Sequence, residues 1–261
     1  MRRPRGPILR LLLAAAVLAP AFSLGAPASP VRSADSGSTA FRLDLAQHSD
    51  FVAQANFVQC VGASMQMMLN IIQAENDGSA RTQLRLQNLA RDLSGPSRTG
   101  IQRKGASVRG WTAGLNQLEA GPYRLVGASS LDEALRLAAT SIRQTGKPVG
   151  LLVWAGRHAW VMSGFQATAD PRRTSDFRVT KAIVLDPLYP HGSSRWGPSP
   201  KPREAITPAT LGRQFVPRRQ GTWAGALPGP AGATMAALAG KYVIVMPYVP
   251  IELARTGHIA A

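Results

Sequence analysis

Gln54-Ala55-Asn56-Phe57-Val58-Gln59-Cys60-Val61-Gly62-Ala63-Ser64-Met65 carries the only cysteine of a 261-residue chain, and its reading decides the fold. After it, Met65, Met68, Leu69 and Ile72 recur at helical spacing. That spacing predicts a helix from Cys60 to about Glu75 with one buried stripe, in which the methionines are core. The thiol then sits in the first turn, where the helix dipole and free backbone donors favour a thiolate. A thiolate nucleophile needs an imidazole to share its proton and a donor for the developing oxyanion. His158, which opens the apolar run from His158 to Phe165, is the histidine that fits. A lone cysteine also packs as a small inert hydrophobe, so its neighbours decide between chemistry and packing.

Working outward, Arg2, Arg3, Arg5 and Arg10 precede the apolar run Leu11 to Ala19, and small residues Ala26 and Ala28 follow. This is the pattern of a secretory signal peptide, expected over 1–28, and the run is too short for a membrane span. Residues 29–40, rich in Ser, Ala, Pro and Gly, read as a flexible spacer. The domain is expected over 41–250, with a C-terminal tail over 251–261. The whole chain holds 30 Lys and Arg against 14 Asp and Glu. Loss of the signal still leaves about +12, which draws a protein toward anionic surfaces such as those of the cell envelope. No nucleic-acid-binding motif accompanies that charge, so no specific nucleic-acid partner is expected. A single cysteine excludes an internal disulfide and leaves stability to packing. His48, His191 and His258 form no metal-ligand pattern with Cys60, so neither a metal nor another cofactor is expected.

Helical periodicity continues over Ala80 to Leu93 and Ser107 to Leu118. It is clearest where Ser130 and Glu133 form a capping box ahead of Leu131, Leu135, Ala138 and Ile142, with Gly146 as the stop. The period then changes. Pro148 to Trp154, His158 to Phe165, Arg178 to Leu185 and Tyr242 to Val249 read as strands pairing mainly antiparallel. Helices followed by strands predict an α+β domain in which a helical half faces a sheet half. Residues 190–239, rich in Pro, Gly and Arg, read as surface decoration with one short helix near Ala209 to Phe215. Trp154 and Trp196 read as packing residues.

The Gln54-to-Cys60 stretch resembles the glutamine-to-cysteine helix start of papain-like cysteine peptidases, especially the bacterial branch of double-glycine-leader, or bacteriocin-processing, peptidases. The resemblance covers roughly residues 41–190. It implies a papain-like fold, with the cysteine helix of an N-terminal helical half packed on a C-terminal antiparallel sheet. The glutamine six positions before the cysteine maps onto Gln54 as oxyanion-hole donor, and the nucleophile maps onto Cys60. The family's second block, a histidine opening an apolar strand and a later strand ending in Asp or Asn before Pro, maps onto His158 and Val184-Leu185-Asp186-Pro187. Asp186 then orients the imidazole. Val61 stands where the commonest family pattern has Gly, which here comes one residue later as Gly62.

These residues together lead to the expectation of a secreted cysteine peptidase hydrolysing peptide or amide bonds through Cys60, His158, Asp186 and Gln54, with peptide or protein as substrate. The same set permits transfer of the acyl group to an amine. A different class stays open: a catalytically silent binding module that engages anionic envelope polymers through Arg195, Lys201, Arg203, Arg213, Arg218 and Arg219.

Overall fold

Each helix of the first half starts where its local sequence says it should. In this computed structural model, which describes residues 40–95, 105–219 and 235–250, α1 (Cys60–Gln73) begins at the cysteine and ends against Ala74 in a left-handed conformation. The next three, α2 (Ala80–Asp92), α3 (Val108–Gln117) and α4 (Leu131–Thr145), follow Ser79, Ser107 and Ser130, and each serine hydroxyl accepts a first-turn backbone N–H. Such a cap stabilises a helix by about 1 kcal/mol. On α4 only half of the expected capping box forms: Ser130 accepts the Glu133 N–H, while the Glu133 carboxylate reaches back to the N–H of Ser129, one residue before the cap. Gly146 stops that helix at φ +65°.

The strands form one antiparallel sheet. Its elements are β1 (Phe41–Asp44), β2 (Tyr123–Ala128), β3 (Val149–Val153), β4 (His158–Ala167) and β5 (Val179–Leu185). Beyond a two-stranded ribbon of β6 (Gly192–Ser193) and β7 (Gly197–Pro198) come β8 (Glu204–Ile206), the short helix α5 (Pro208–Leu211) and β9 (Tyr242–Pro247). The sheet runs β2-β9-β3-β4-β5-β8. One edge of β4 is shared: β3 pairs with His158 to Met162, and β1 takes over from Gly164 to Ala167. The other edge pairs with β5.

Two apolar cores flank this sheet. Met65, Met67 and Met68 of α1, Leu86 of α2 and Trp111 and Leu115 of α3 pack with Leu125, Ala159, Val161 and Val245 on one face. Leu135, Ala138 and Ile142 of α4 pack with Leu151, Trp160, Phe165 and Ile244 on the other. Each fully buried methionine or leucine contributes roughly 1.5–3 kcal/mol relative to exposure. The architecture is therefore mixed helix and antiparallel sheet, as expected. The two-halves picture needs one correction: α4 does not join the other helices but covers the opposite face, because the chain enters the sheet as β2 before α4 and returns as β3.

Residues 190–239 are more than decoration. Within them β8 extends the main sheet by pairing with β5, and the helix expected near Ala209 to Phe215 is shortened to α5. The expected signal peptide over 1–28, the spacer apart from Ala40 and the tail over 251–261 lie outside the described residues, which all belong to a unit starting at Ser38. Among the described residues no helix is long and apolar enough to cross a membrane.

Candidate active site

Cys60 occupies the first position of α1 and is partly exposed. Unlike the other described α-helices, α1 has no side-chain N-cap bond. The first N–H groups of a helix lack intrahelical acceptors, so this end keeps backbone donors beside the thiol. One turn further on, the buried Ser64 hydroxyl donates to the Ala159 carbonyl at 3.2 Å. That bond ties α1 to the start of β4 and fixes the spacing between Cys60 and His158.

His158 is the first residue of β4, immediately after the turn that joins it to β3. Its Nε2 lies 2.7 Å from Oδ1 of Asp186, the residue that follows β5. Because β4 and β5 are paired through Val161 and Leu185, the two side chains are held by adjacent strands. Both are inside, His158 at 4% exposure and Asp186 at 0%. Asp186 Oδ1 also accepts the Leu188 N–H at 2.8 Å, while Oδ2 has no hydrogen-bond partner among the described residues. Cys60 lines the same cleft as His158 and acts on its imidazole from there. Burial alone would lower the His158 pKa, but the Asp186 hydrogen bond and the influence of Cys60 lift it to about 9. An imidazole beside two acidic groups stays charged through neutral pH.

Trp154, expected to be simple packing, stacks on His158 with ring centroids 4.2 Å apart and planes at 26°. Its indole N–H donates to Gln214 Oε1 at 2.9 Å and its backbone N–H to the Gln214 carbonyl at 2.8 Å. Trp154 and Ala155 adopt left-handed conformations at φ +58° and +56°. Such backbone costs about 1–3 kcal/mol for a residue with a side chain and persists only where the surroundings enforce it. Here both Gln214 bonds supply that enforcement.

Gln54 behaves differently. Its backbone N–H donates to the Pro187 carbonyl at 2.7 Å, so the segment before Cys60 is clipped to the segment after Asp186. Its side-chain amide, however, donates to the Asn56 carbonyl at 2.8 Å. Gln54 lines a pocket of about 140 Å³ with Phe57, Leu188 and His191, whereas Cys60 and His158 line a separate cleft of about 190 Å³. Thus Cys60, His158 and Asp186 come together, and the Gln54 side chain stands beside them engaged with its own loop.

Two residues that the sequence reading passed over hold that loop. Gln83 of α2 accepts the Ala55 N–H and donates to the Ala53 carbonyl. Gln87, one turn on, accepts the Gly62 N–H at 2.9 Å and donates to the Val58 carbonyl at 2.9 Å. Both are buried, at 1% and 2% exposure. A β-carbon on Gly62 would approach the Gln83 carbonyl to 2.7 Å. Gly62 therefore serves the close α1–α2 contact. Glutamines four apart on a polar-looking helix were the available signal.

A larger cavity of about 840 Å³ lies on the α4 side, lined by Arg124, Glu133, Arg136 and Tyr248 among others. Its lining includes no Cys or His among the described residues, so the smaller cleft is the site of interest. Among the described residues no three His, Cys, Asp or Glu side chains are grouped as a metal site would require. No family model matches the chain, and no curated protein matches it.

Proposed function

We propose that the chain is an exported papain-like cysteine peptidase, with Cys60 as nucleophile, His158 as acid and base, and Asp186 as the group that orients and charges the imidazole. The observation that carries this reading is the buried His158–Asp186 pair, with the carboxylate at 2.7 Å from Nε2, in the wall of a cleft that the partly exposed Cys60 also lines. The Cys60 thiolate attacks the carbonyl carbon of the scissile amide, and the carbonyl π electrons move onto oxygen. Backbone donors at the start of α1 stabilise that oxyanion, joined by the Gln54 amide once it leaves Asn56. Collapse of the tetrahedral species breaks the C–N bond, and the proton on His158 passes to the leaving amine. A thioester remains. Neutral His158 then takes a proton from water, whose oxygen attacks the thioester, and the departing thiolate restores the ion pair.

Alkylation of Cys60 by iodoacetamide and peptide hydrolysis test the reading together. Both are expected in the native chain, and both should disappear in Cys60→Ala. Hydrolysis at full rate by Cys60→Ala would sink it. Added primary amines separate hydrolysis from acyl transfer, because a transferase yields amide-linked product at the expense of free acid.

The alternative of an anionic-polymer module loses part of its surface. Arg203 is held in a two-pronged ion pair with Asp44, and Arg218 is buried at 4% exposure. Arg218 was read as an exposed binding residue, and this is corrected: its segment runs beside the turn before His158.

A further inference from the structure

The cleft containing Cys60 and His158 carries charge of one sign. Its lining includes Arg157 and Arg218 and no Asp or Glu among the described residues. Asp186 is behind the imidazole, fully buried, and does not face the opening. Arg157 is exposed, while Arg218 is 4% exposed. Burial lowers the Arg218 pKa to about 9, which still leaves the guanidinium charged at neutral pH. Taking such a cation out of water costs several kcal/mol unless its donors are met.

The backbone commits Arg218 to this position. Its N–H donates to the Lys241 carbonyl at 2.8 Å, and its carbonyl accepts the Gly240 N–H at 3.0 Å, so it is braced against the residues leading into β9. Across from it Gly156 sits at φ +96°, and a β-carbon there would reach within 3.1 Å of Arg218 Cγ. A glycine in the turn before His158 thus leaves room for the arginine stem. Ser107 and Val108, at the start of α3, line the same cleft. That helix end adds potential of the same sign.

We propose that this cleft selects peptides carrying a carboxylate next to the scissile amide, with Arg218 receiving the carboxylate and Arg157 guiding it from the mouth. Arg218 has contacts of its own. A guanidinium carries five N–H donors in a planar fork, so a contact elsewhere is compatible with a two-pronged grip on a carboxylate. Arg157, one residue before His158, acts at longer range through the field of the cleft. This assignment rests on Cys60 being the reactive thiol, and the test below separates the two.

Iodoacetamide and iodoacetate both alkylate a thiolate by displacing iodide, but only the second is anionic. The uncharged reagent reports the Cys60–His158 pair; the ratio of iodoacetate to iodoacetamide rates reports the cations. Within each variant that ratio cancels changes in the thiol itself. For the native chain the ratio is expected to exceed that of glutathione by about ten-fold, the scale of one well-placed charge in a partly desolvated cleft. Arg218→Gln is expected to lower it about five-fold and Arg157→Gln about two-fold, with His158 present throughout. Arg218→Lys, which keeps the charge and the fold, is expected to retain more than half. Raising salt from about 20 mM to about 500 mM should shrink the native ratio.

Protection of Cys60 against iodoacetamide then distinguishes the sources of the carboxylate. An amidated peptide with an internal Asp and its Asn counterpart with a free C-terminus are compared, and one of them is expected to protect better than the amidated Asn peptide. A native ratio equal to that of glutathione would overturn the proposal. So would a high ratio that neither Arg157→Gln nor Arg218→Gln lowers, and equal protection by all three peptides. Failure of iodoacetamide itself to label Cys60 would instead strike the peptidase reading.

Discussion

Helices α1 and α4 cover opposite faces of the same sheet, yet they are stabilised in different ways. Helix α4 carries its own instructions: a serine cap, a carboxylate that holds the residue before it, an apolar stripe and a glycine stop. By contrast, α1 starts without a side-chain cap, and the groups that fix its first turn belong to α2 and to the segment after Asp186. A cap placed on α1 would occupy the backbone donors next to the thiol. Here Gln87 of the neighbouring helix takes the Gly62 N–H that a cap on α1 would take, so the stabilising group comes from outside the cleft.

The sharpest way to break this contrast is at the histidine. His158→Ala is expected to slow peptide hydrolysis by about 10²–10⁴-fold, the usual worth of a positioned acid–base group, and to slow Cys60 alkylation at neutral pH. Circular dichroism should still show the helices, because the imidazole supports chemistry rather than either core.

Next in size is the response to pH. His158 is raised from 6.5 to about 9, so the stability it contributes is complete below pH 6.5 and lost as pH rises through about 9. Hydrolysis should fall along the same alkaline limb as the leaving amine loses its proton donor. In Asp186→Asn that limb should move down toward 6.5, and thermal melts from pH 7 to pH 10 should show a smaller loss than in the native chain. An unmoved limb would mean that Asp186 does not hold the imidazole charged.

Gln87→Leu probes the outside support of α1. It strands the Gly62 N–H and the Val58 carbonyl, which should cost about 1–3 kcal/mol in chemical denaturation. Turnover should fall further than the lost stability accounts for, because the loop before Cys60 is no longer held. Ser130→Ala on α4 is the matched control and the smallest effect. It should cost about 1 kcal/mol and leave Cys60 alkylation unchanged. If the two substitutions affected alkylation equally, the division of labour between the helices would fail.

That contrast also explains what the sequence made legible. Helices α1 to α4 were visible because apolar spacing and serine caps are local signals. Strands β3, β4, β5 and β9 were visible as apolar runs with turn residues between them. Strand β2 was missed because it follows Gly121-Pro122 between two helices and pairs with β9 from the far end of the domain. The face covered by α4 depends on a crossover between strands, which no local pattern records. At the site, Cys60 and His158 could be picked out by chemistry and position, and Asp186 through the resemblance. Gln83 and Gln87 could not, since a buried glutamine that satisfies a distant loop looks like an ordinary polar helix residue. Arg218 was misread for the related reason that charge suggests surface until packing shows otherwise.

Strand β4 has a consequence for how the molecule opens. It is paired along both edges, with β3 and β1 dividing one side and β5 taking the other. Its amide protons should therefore be among the last to exchange with solvent, at a free energy approaching that of global unfolding. Those around Asn56 and Phe57, in an exposed turn, should exchange through small local openings. The turn before Cys60 can loosen and re-form while the strand that carries His158 stays intact.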